Sequence, residues 1–309
     1  MSGTLKMIIV IPLERGGLFE ITLAVSHYER NWSLYMEHPA SCQKLDQPKV
    51  LAALFHPRRD ESPLPAGAVD LALTMDDSAV LAARLFLADN PTAVTLLFFH
   101  GNGEVVADYD DVGPSYVAQG LSFCVVDYRG YGRSSGSPTV SHMLEDAHAV
   151  LRLVRHNLAE QGRTGPIAVM GRSLGSVPAI ELAATEEGIA GLIIESGISR
   201  TVPLLAAVGL DAAALGITEE NGFGNLEKIA KVTIPTYILH AQYDQIIPIA
   251  LAEELQSVCG ARGKEFQMIP GADHNNILER TGNLYYQAIA RFAGRLGRGQ
   301  RPRRPGIRG

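Results

Sequence analysis

The sequence predicts a three-layer α/β/α sandwich built around a mostly parallel, twisted β-sheet. The first observation is a series of short, continuously apolar runs, which are typical of strands covered on both faces. The second is a set of stretches between them whose apolar residues recur at spacings of three and four. Because the two kinds of segment alternate, right-handed crossovers are expected. A chain of 309 residues, 46% hydrophobic and 19% charged, can bury the large core that this architecture needs.

The strands fall into two groups along the chain. An antiparallel pair is predicted first, where "VDLAL" from Val69 and "VLAARLFLA" from Val80 flank the turn-forming "DDS". Parallel strands are predicted for the later apolar runs "AVTLLFF", "SFCVV", "IAVM", "GLIIE", "TYILH" and "EFQMI".

The clearest helix is predicted for residues 141–161, where Met143, Ala147 and Val150 begin an apolar face and Gly162 ends the run. Residues 251–258 and 284–296 show a similar pattern. With the strands between them, these helices complete the outer layers of the sandwich.

The chain is predicted to divide into an N-terminal extension, one large domain and a short tail. Residues 1–50 contain the strand-like "LFEITLAV" and Trp32, but their pattern leaves open whether they add strands to the main sheet or form a separate extension. Residues 51–296 are assigned to the domain, whose first clear elements follow the linker-like "FHPRRDESPLPAGA" and which includes a cap insertion at about 198–233. Residues 297–309, rich in arginine, glycine and proline, are expected to form a disordered basic tail.

Composition narrows the classes of partner and site. A net charge of −6 leaves no broad basic surface, so we expect no nucleic-acid partner. The three cysteines are far apart and no C-x-x-C or H-E-x-x-H occurs, so neither a disulfide framework nor a zinc site is indicated. The apolar run at residues 7–13 is interrupted by Pro12 and is too short for stable membrane insertion. We expect a cytoplasmic protein, and the sequence does not decide its oligomeric state.

A candidate nucleophile lies in "VMGRSLGS", where glycines flank Ser173. The run "IAVM" precedes it, and helical spacing follows, with Pro178 near the start of that helix. Proline is tolerated only in the first turn, so the helix must begin directly after the serine. Ser173 is therefore predicted on a sharp strand-to-helix turn, where a Cβ at Gly171 or Gly175 would crowd the neighbouring backbone.

A serine nucleophile needs a base, because its hydroxyl is scarcely ionised at neutral pH. Only His240 and His274 follow Ser173 in the chain. His240 ends the apolar run "TYILH", where a buried structural role is expected. His274, in the loop "PGADHNN" after the last strand, is the better candidate base.

The imidazole in turn needs an acid to hold its tautomer. Asp211 lies in the insertion, and Asp273 is too close in sequence to reach Nδ1 of its neighbour, whereas Asp244 follows a strand end in "HAQYDQIIP". Asp244 is the predicted acid, since the carboxyl ends of parallel strands bind ligands in open α/β folds. Glu195, at the end of "GLIIE", is the competing acid and is otherwise expected to brace a neighbouring loop.

Acyl transfer also needs N–H donors for the developing oxyanion. The loop "FFHGNGE" contains two glycines that let the backbone approach a ligand. We assign one donor to the N–H of Asn102, with Gly103 as the alternative, and the second to the N–H of Leu174. His100, in the same loop, is expected to be a structural hydrogen-bonding residue.

Six segments together resemble the α/β-hydrolase superfamily, and in particular small-lidded serine hydrolases, a group that includes protein depalmitoylases: "HGNGE", "DYRGYGRSSGSPT", "GRSLGS", "LIIESG", "ILHAQYDQIIP" and "GADHNNI". The resemblance implies that Ser173 is the nucleophile, Asp244 the acid and His274 the base. The sequence departs from the family pattern at "MDDS", where an acid-glycine turn is usual, and in residues 1–50, which have no counterpart in the family.

The resemblance also implies that Tyr128, Arg129 and Gly130 shape the wall of the site. It implies an α/β-hydrolase fold in which the cap insertion lies over the site. The apolar "TVPLLAAVGL" in that insertion is either a helix packed flat on the sheet or a lid whose aliphatic face accepts an acyl group.

The expected reaction is attack by Ser173 on the carbonyl of a small acyl ester or thioester, followed by hydrolysis of the acyl-enzyme by water that His274 activates. This chemistry requires no cofactor and no metal. Two alternatives stay open: a peptidase or amidase that uses the same residues, and a non-catalytic ligand-binding protein that keeps the fold.

Overall fold

The computed structural model describes residues 5–13, 17–25 and 42–296, and the first two ranges are described by their backbone alone. These ranges contain the strands β1 (Leu5–Leu13), β2 (Gly17–Val25), β3 (Ala68–Thr74), β4 (Val80–Phe86), β5 (Thr95–Phe99), β6 (Ser122–Val126), β7 (Ile167–Arg172), β8 (Ile189–Glu195), β9 (Thr236–Ala241) and β10 (Lys264–Ile269). They form one sheet in the order β10-β9-β8-β7-β5-β6-β4-β3-β1-β2.

The pairing of the strands follows the predicted division. Strands β5 to β10 run parallel to one another, and β3 pairs antiparallel with β4 in a register that joins Ala68 to Phe86. The N-terminal strands β1 and β2 form an antiparallel hairpin, and β1 extends the sheet beyond β3. The segment "LFEITLAV" is thus largely a strand of the main sheet, and Trp32 lies outside the described residues.

The parallel strands are buried because they are apolar on both faces. Every residue of β5, β6 and β9 is buried. Strand β10 differs, since it lies at the edge of the sheet and leaves Met268 42% exposed. The apolar run of β10 therefore predicted the strand correctly, but not its partial exposure to solvent.

The described residues include the helices α1 (Pro48–Leu54), α2 (Val112–Ala118), α3 (Val140–Glu160), α4 (Ser176–Thr185), α5 (Thr201–Ala207), α6 (Asn225–Lys231), α7 (Ile249–Val258), α8 (Ile277–Thr281) and α9 (Asn283–Ala293). The helices predicted from the apolar spacing are α3, α7 and α9, with small shifts at their ends, and the helix predicted after Ser173 is α4. The longest, α3, begins where the Thr139 hydroxyl accepts a hydrogen bond from the His142 N–H at 3.0 Å. Asp46 also accepts hydrogen bonds from the N–H groups of Val140 and Ser141, at 2.8 and 3.2 Å.

Two apolar clusters cover the two faces of the sheet, so the predicted three-layer sandwich is confirmed. One cluster includes buried side chains from α1, α3, α4, α6 and α7, and the other includes side chains from α2 and α9. Burial of apolar surface on both faces is the main source of stability for such an arrangement.

The predicted boundary after residue 50 falls inside α1, where Val50 and Leu54 belong to the core. The linker-like segment that follows is fastened to the molecule, since Arg58 Nε donates to the Gly103 carbonyl at 2.9 Å. Between β8 and β9, α5 and α6 occupy the predicted insertion. The basic tail lies outside the described residues, and the division of the chain into three parts stays a prediction.

Candidate active site

The turn after β7 holds Ser173 in a left-handed backbone conformation, with φ of +51°. A residue with a side chain rarely adopts this conformation. A Cβ on Gly171 would lie 2.1 Å from the Gly175 carbonyl oxygen, and a Cβ on Gly175 would lie 1.9 Å from the Phe99 carbonyl oxygen. Both flanking positions therefore require glycine, for the steric reason expected from the sequence.

The structure brings the three predicted side chains into one hydrogen-bonded row. Ser173 Oγ lies 3.1 Å from His274 Nε2, and His274 Nδ1 lies 2.7 Å from Asp244 Oδ2. Ser173 follows β7, Asp244 follows β9 and His274 follows β10, so three loops at the carboxyl edge of the sheet supply the row. Such a row can move a proton from the hydroxyl to the imidazole.

Asp244 is held as a carboxylate. Its Oδ1 accepts hydrogen bonds from the N–H groups of Ile246 at 3.0 Å and Ile247 at 2.8 Å. Burial raises the pKa of Asp244, but the hydrogen bond from His274 and its charge outweigh burial, and the net pKa lies below the usual value. Asp244 is thus ionised, and its Oδ2 is oriented towards the His274 imidazole.

His240 packs beside this pair without joining the row. It is fully buried, its Nε2 lies 2.8 Å from the Ile247 carbonyl oxygen, and burial lowers its pKa. The ring therefore supports the acid-bearing loop as a neutral group, in keeping with the structural role expected for it.

The loop after β5 forms a turn over residues 101–104. The Glu104 N–H donates to the Gly101 carbonyl at 3.4 Å, which places Asn102 and Gly103 at the tip of the turn. Gly103 has a φ of +78°, which the third position of such a turn demands of a glycine. The N–H groups of Asn102 and Leu174 donate to no acceptor within residues 42–296. Both predicted oxyanion donors are thus available to a ligand.

The side chain of Asn102 anchors this turn to His56 and Tyr131. Its Oδ1 accepts hydrogen bonds from the His56 N–H at 2.8 Å and the Tyr131 hydroxyl at 2.9 Å, and its Nδ2 lies 2.8 Å from His56 Nδ1. Sequence reasoning missed both partners. The second tyrosine of "DYRGYG" was the available signal for Tyr131.

Tyr128 and Arg129 of the same motif contact different parts of the molecule. The Tyr128 hydroxyl donates to the His100 carbonyl at 2.7 Å. Tyr128 therefore does support the predicted oxyanion loop, residues 100–104. Arg129 instead forms two hydrogen bonds of 2.8 Å with Asp146 of α3, and Arg129 also contacts Asp77. It ties the motif to a helix and to the β3–β4 turn rather than lining the site.

Comparison with known proteins assigns the chain to a family. The family model described as "Serine aminopeptidase, S33" matches residues 90–215. The chain is 30% identical over 234 residues to the human alpha/beta hydrolase domain-containing protein 17B, covering 73% of this chain and 74% of that protein. The chain belongs to the α/β-hydrolase superfamily. It is a hydrolase, and the resemblance inferred from its motifs is confirmed.

A second sequence relative and two solved structures are also similar to this chain. The hydrolase is 29% identical over 225 residues to protein bem46 of Schizosaccharomyces pombe, covering 70% of this chain and 73% of that protein. An esterase structure from Pyrococcus furiosus superposes with a TM-score of 0.64 at 18% identity, over 78% of this chain and 99% of that one. A monoglyceride lipase from Saccharomyces cerevisiae does so with a TM-score of 0.59 at 19% identity, over 78% and 98%.

In this hydrolase, the competing acid Glu195 is committed to other partners. Its Oε1 lies 3.3 Å from Arg172 Nε, and its Oε2 accepts a hydrogen bond from the Tyr285 hydroxyl. Burial raises its pKa. Glu195 makes no hydrogen bond with His274, whose Nδ1 is bonded to Asp244. Glu195 therefore braces the end of β7 and the helix α9, and not the neighbouring loop that was expected.

The two aspartates set aside in the sequence analysis bond locally. Asp211 Oδ1 accepts from the Ala214 N–H at 3.1 Å within the insertion. Asp273 Oδ1 accepts from the Asn275 N–H at 2.9 Å, and its Oδ2 accepts from Asn276 Nδ2 at 2.7 Å. Asp273 thus shapes the loop that carries His274.

Neither a metal site nor a membrane span is found in the described part of the hydrolase. No group of three or more His, Cys, Asp or Glu side chains there is placed to hold a metal ion. None of the helices in those ranges combines the length and apolar character needed to cross a membrane. A cavity of about 430 Å³ lies beside β3 and β4, and its lining includes no member of the hydrogen-bonded row.

Proposed function

We propose that the protein is a serine hydrolase that cleaves a carboxylic ester or thioester through an acyl-enzyme on Ser173. The observation that carries the proposal is the row of Ser173, His274 and Asp244, with 3.1 and 2.7 Å between successive polar atoms. The left-handed turn at Ser173 supports it, because strain of this kind is found where a nucleophile must stand clear of the sheet.

Each residue has a defined step in this proposal. His274 Nε2 takes the proton of Ser173 Oγ as the oxygen attacks the carbonyl carbon, and Asp244 holds the Nδ1–H of the imidazolium. The N–H groups of Asn102 and Leu174 receive the oxyanion, with Gly103 as the alternative donor. His274 then protonates the leaving group, and it later activates the water that releases the acid.

The proposed substrate carries a short to medium acyl chain. Ile198, Leu204 and Leu205, from the insertion, belong to the same apolar cluster as Leu174, which directly follows the nucleophile. The insertion is thus apolar where it meets the core, and an apolar insertion supports an apolar acyl group over a charged one. The face of α5 that these leucines occupy is buried, while Val208 just beyond the helix is 36% exposed.

A peptidase is the second candidate, since the matching family model is described as a serine aminopeptidase. An aminopeptidase needs a carboxylate that is free to bind the substrate ammonium group. Glu104 and Glu195, the acidic residues bonded to the residue before the nucleophile, are both engaged by Arg172. Neither carboxylate of this cluster is therefore free to bind a substrate ammonium group.

A substrate panel tests the proposal. Wild-type protein is assayed with p-nitrophenyl esters of increasing chain length, with an acyl thioester and with aminoacyl p-nitroanilides. We expect hydrolysis of the esters and thioester by wild type and by Ser257→Ala, an exposed serine on α7 that serves as the control, and none above background by Ser173→Ala. Hydrolysis of the anilides alone would establish the peptidase, and no hydrolysis of any compound would favour the non-catalytic alternative.

We also propose a cytoplasmic location. Cys124 and Cys259 are buried and form no disulfide, and thiols of this kind are typical of proteins in a reducing compartment. Fractionation of cells that express the full chain tests this location, and recovery in a secreted fraction would contradict it.

A further inference from the structure

Arg172, the last residue of β7, reaches two loops of the site at once. Its Nη1 forms an ion pair with Glu104, in the oxyanion loop. Its Nη2 donates to the His274 carbonyl at 3.0 Å and lies 3.4 Å from Asn275 Oδ1, in the loop of the base. Its Nε lies 3.3 Å from Glu195 Oε1. One guanidinium therefore joins the elements that carry the base and the oxyanion donors.

Glu104 extends this link into the turn that presents the oxyanion donors. Its Oε2 accepts hydrogen bonds from the Gly101 N–H at 2.7 Å and from the Tyr109 hydroxyl at 2.6 Å, while its Oε1 bonds to Arg172. Because the Gly101 carbonyl also accepts from the Glu104 N–H, the turn is closed by its backbone and by its last side chain. The position of Asn102 at its tip thus depends on where Arg172 holds Glu104.

The residue type at position 101 shows how closely the guanidinium approaches the loop. A Cβ on Gly101 would lie 2.7 Å from Arg172 Nη1 and 3.0 Å from Glu104 Oε2. Any larger residue would push the ion pair away from the backbone. The glycine that precedes the predicted oxyanion donor therefore makes room for the arginine as well as for a ligand.

The largely buried charge of Arg172 is compensated by the carboxylates of Glu104 and Glu195. The Arg172 side chain is only 15% exposed, and burial lowers its pKa, but the carboxylates of Glu104 and Glu195 outweigh burial and leave the pKa above its usual value. The Tyr285 hydroxyl donates to the other oxygen of Glu195. A buried cation between two acceptors is held in one orientation, since removal of either partner would leave an unpaired charge.

We propose that Arg172 is a positioning residue that locks the loop of His274 to the oxyanion loop, so that base and oxyanion donors keep one fixed separation. The inference rests on the proposed function, because it assigns Arg172 a role in that reaction. Only an arginine can satisfy the arrangement, since its planar fork donates in three directions from Nε, Nη1 and Nη2. A lysine ammonium keeps the charge but cannot bond Glu195, Glu104 and the His274 carbonyl together.

Arg172→Lys tests the proposal, with Arg84→Lys as the matched control. Arg84 is 3% exposed and is held by Asp70 at 2.7 Å and by Asp110 at 2.6 Å, and none of these residues touches either loop. For Arg172→Lys we expect kcat to fall about 10- to 100-fold with KM within about twofold, because displaced groups lower the rate of the chemical step. For Arg84→Lys we expect both constants to match wild type.

A double-mutant cycle separates positioning from general destabilisation. Because Arg172 and Glu104 act together, the double variant Arg172→Lys/Glu104→Gln should lose less kcat relative to wild type than the product of the losses in the two single variants. A kcat for Arg172→Lys within about threefold of wild type, an equal loss in Arg84→Lys, or independent effects in the cycle would each overturn the proposal.

A measurement without substrate keeps the inference distinct from the proposed function. The proton shared by His274 Nδ1 and Asp244 should give a far-downfield proton NMR resonance, assigned by its absence in His274→Gln. We expect the resonance to be broadened or lost in Arg172→Lys and kept in Arg84→Lys. If wild type hydrolyses no ester, the proposed function fails, and an unchanged resonance in Arg172→Lys would by itself overturn the positioning role.

Discussion

Two histidine–carboxylate pairs of almost equal length serve different purposes in this molecule. His274 Nδ1 lies 2.7 Å from Asp244, and His148 Nδ1 lies 2.6 Å from Glu186. The first pair stands at the carboxyl edge of the sheet, where the other ring nitrogen faces Ser173. The second lies on helical surface, where the other ring nitrogen faces another carboxylate, Glu181, at 3.6 Å.

The second carboxylate changes the chemistry of the imidazole. Burial lowers the pKa of His148, but the hydrogen bonds to Glu181 and Glu186 outweigh burial and raise it to about 9. His148 is therefore cationic at neutral pH and cannot accept a proton. It joins α3 to α4, and Lys228 of α6 pairs with Glu181 at 2.7 Å, so this network connects three helices. A histidine–carboxylate bond alone thus does not identify a base; the partner of the second nitrogen does.

The largest expected effect separates the two histidines by activity. His274→Gln should lower kcat/KM by at least about 10⁵-fold, because it removes the proposed base, whereas His148→Gln should leave kcat/KM within about twofold. Ester hydrolysis at saturating and limiting substrate gives both values. A comparable loss in both variants would show that the comparison misassigns the roles.

A slightly smaller effect distinguishes the two candidate acids. Asp244→Asn should keep the fold and lower kcat by about 10⁴-fold, because the amide no longer selects the productive tautomer of His274. Glu195→Gln should have a far smaller effect, since its carboxylate braces Arg172 and Tyr285. Thermal unfolding of both proteins provides the control for folding, and the opposite order of the kcat values would make Glu195 the acid.

Loss of a hydrogen bond that supports the oxyanion loop should have a modest effect on kcat. Tyr131→Phe removes the hydroxyl that donates to Asn102 Oδ1 and should lower kcat about three- to tenfold, the range of a single hydrogen bond. Tyr237→Phe is the control, since that hydroxyl bonds to Gln267 of the edge strand β10. Equal kcat values for both variants and wild type would show that the His56 contacts hold Asn102 alone.

The smallest effect concerns stability and its dependence on pH. Because the folded-state pKa of His148, about 9, lies above its ordinary value of 6.5, its contribution is fully present below pH 6.5 and is lost as pH rises through 9. His148→Gln should lower the free energy of unfolding by on the order of 1 kcal/mol at about pH 6, and by much less at about pH 10. Denaturant unfolding at both values checks this, and a difference independent of pH would contradict it.

Most of the sheet could be predicted from the sequence because its parallel strands are apolar on both faces and short. The steric need for glycine at positions 171 and 175 also follows from local pattern, since a strand, a turn and a helix with Pro178 in its first turn leave little space. The order of Ser173, Asp244 and His274 could be inferred because each follows a strand in an α/β fold.

The supporting contacts could not be predicted, because they join residues that no periodicity relates. Arg172 and Glu104 are 68 residues apart, and Asn102 and His56 are 46 apart. In sequence, Arg172 is only the residue between Gly171 and Ser173. Its side chain gains a role when β5 and β7 become neighbours in the sheet and bring their following loops together.

A fluorophosphonate probe, which labels an activated serine, tests the proposed role of Ser173 as nucleophile. Wild-type protein is treated with the probe, digested and mapped by mass spectrometry, with Ser173→Ala and His148→Gln treated in parallel. We expect one adduct in wild type and in His148→Gln, on the peptide that contains Ser173, and none in Ser173→Ala. An unlabelled wild type, or an adduct on another serine that persists in Ser173→Ala, would contradict it.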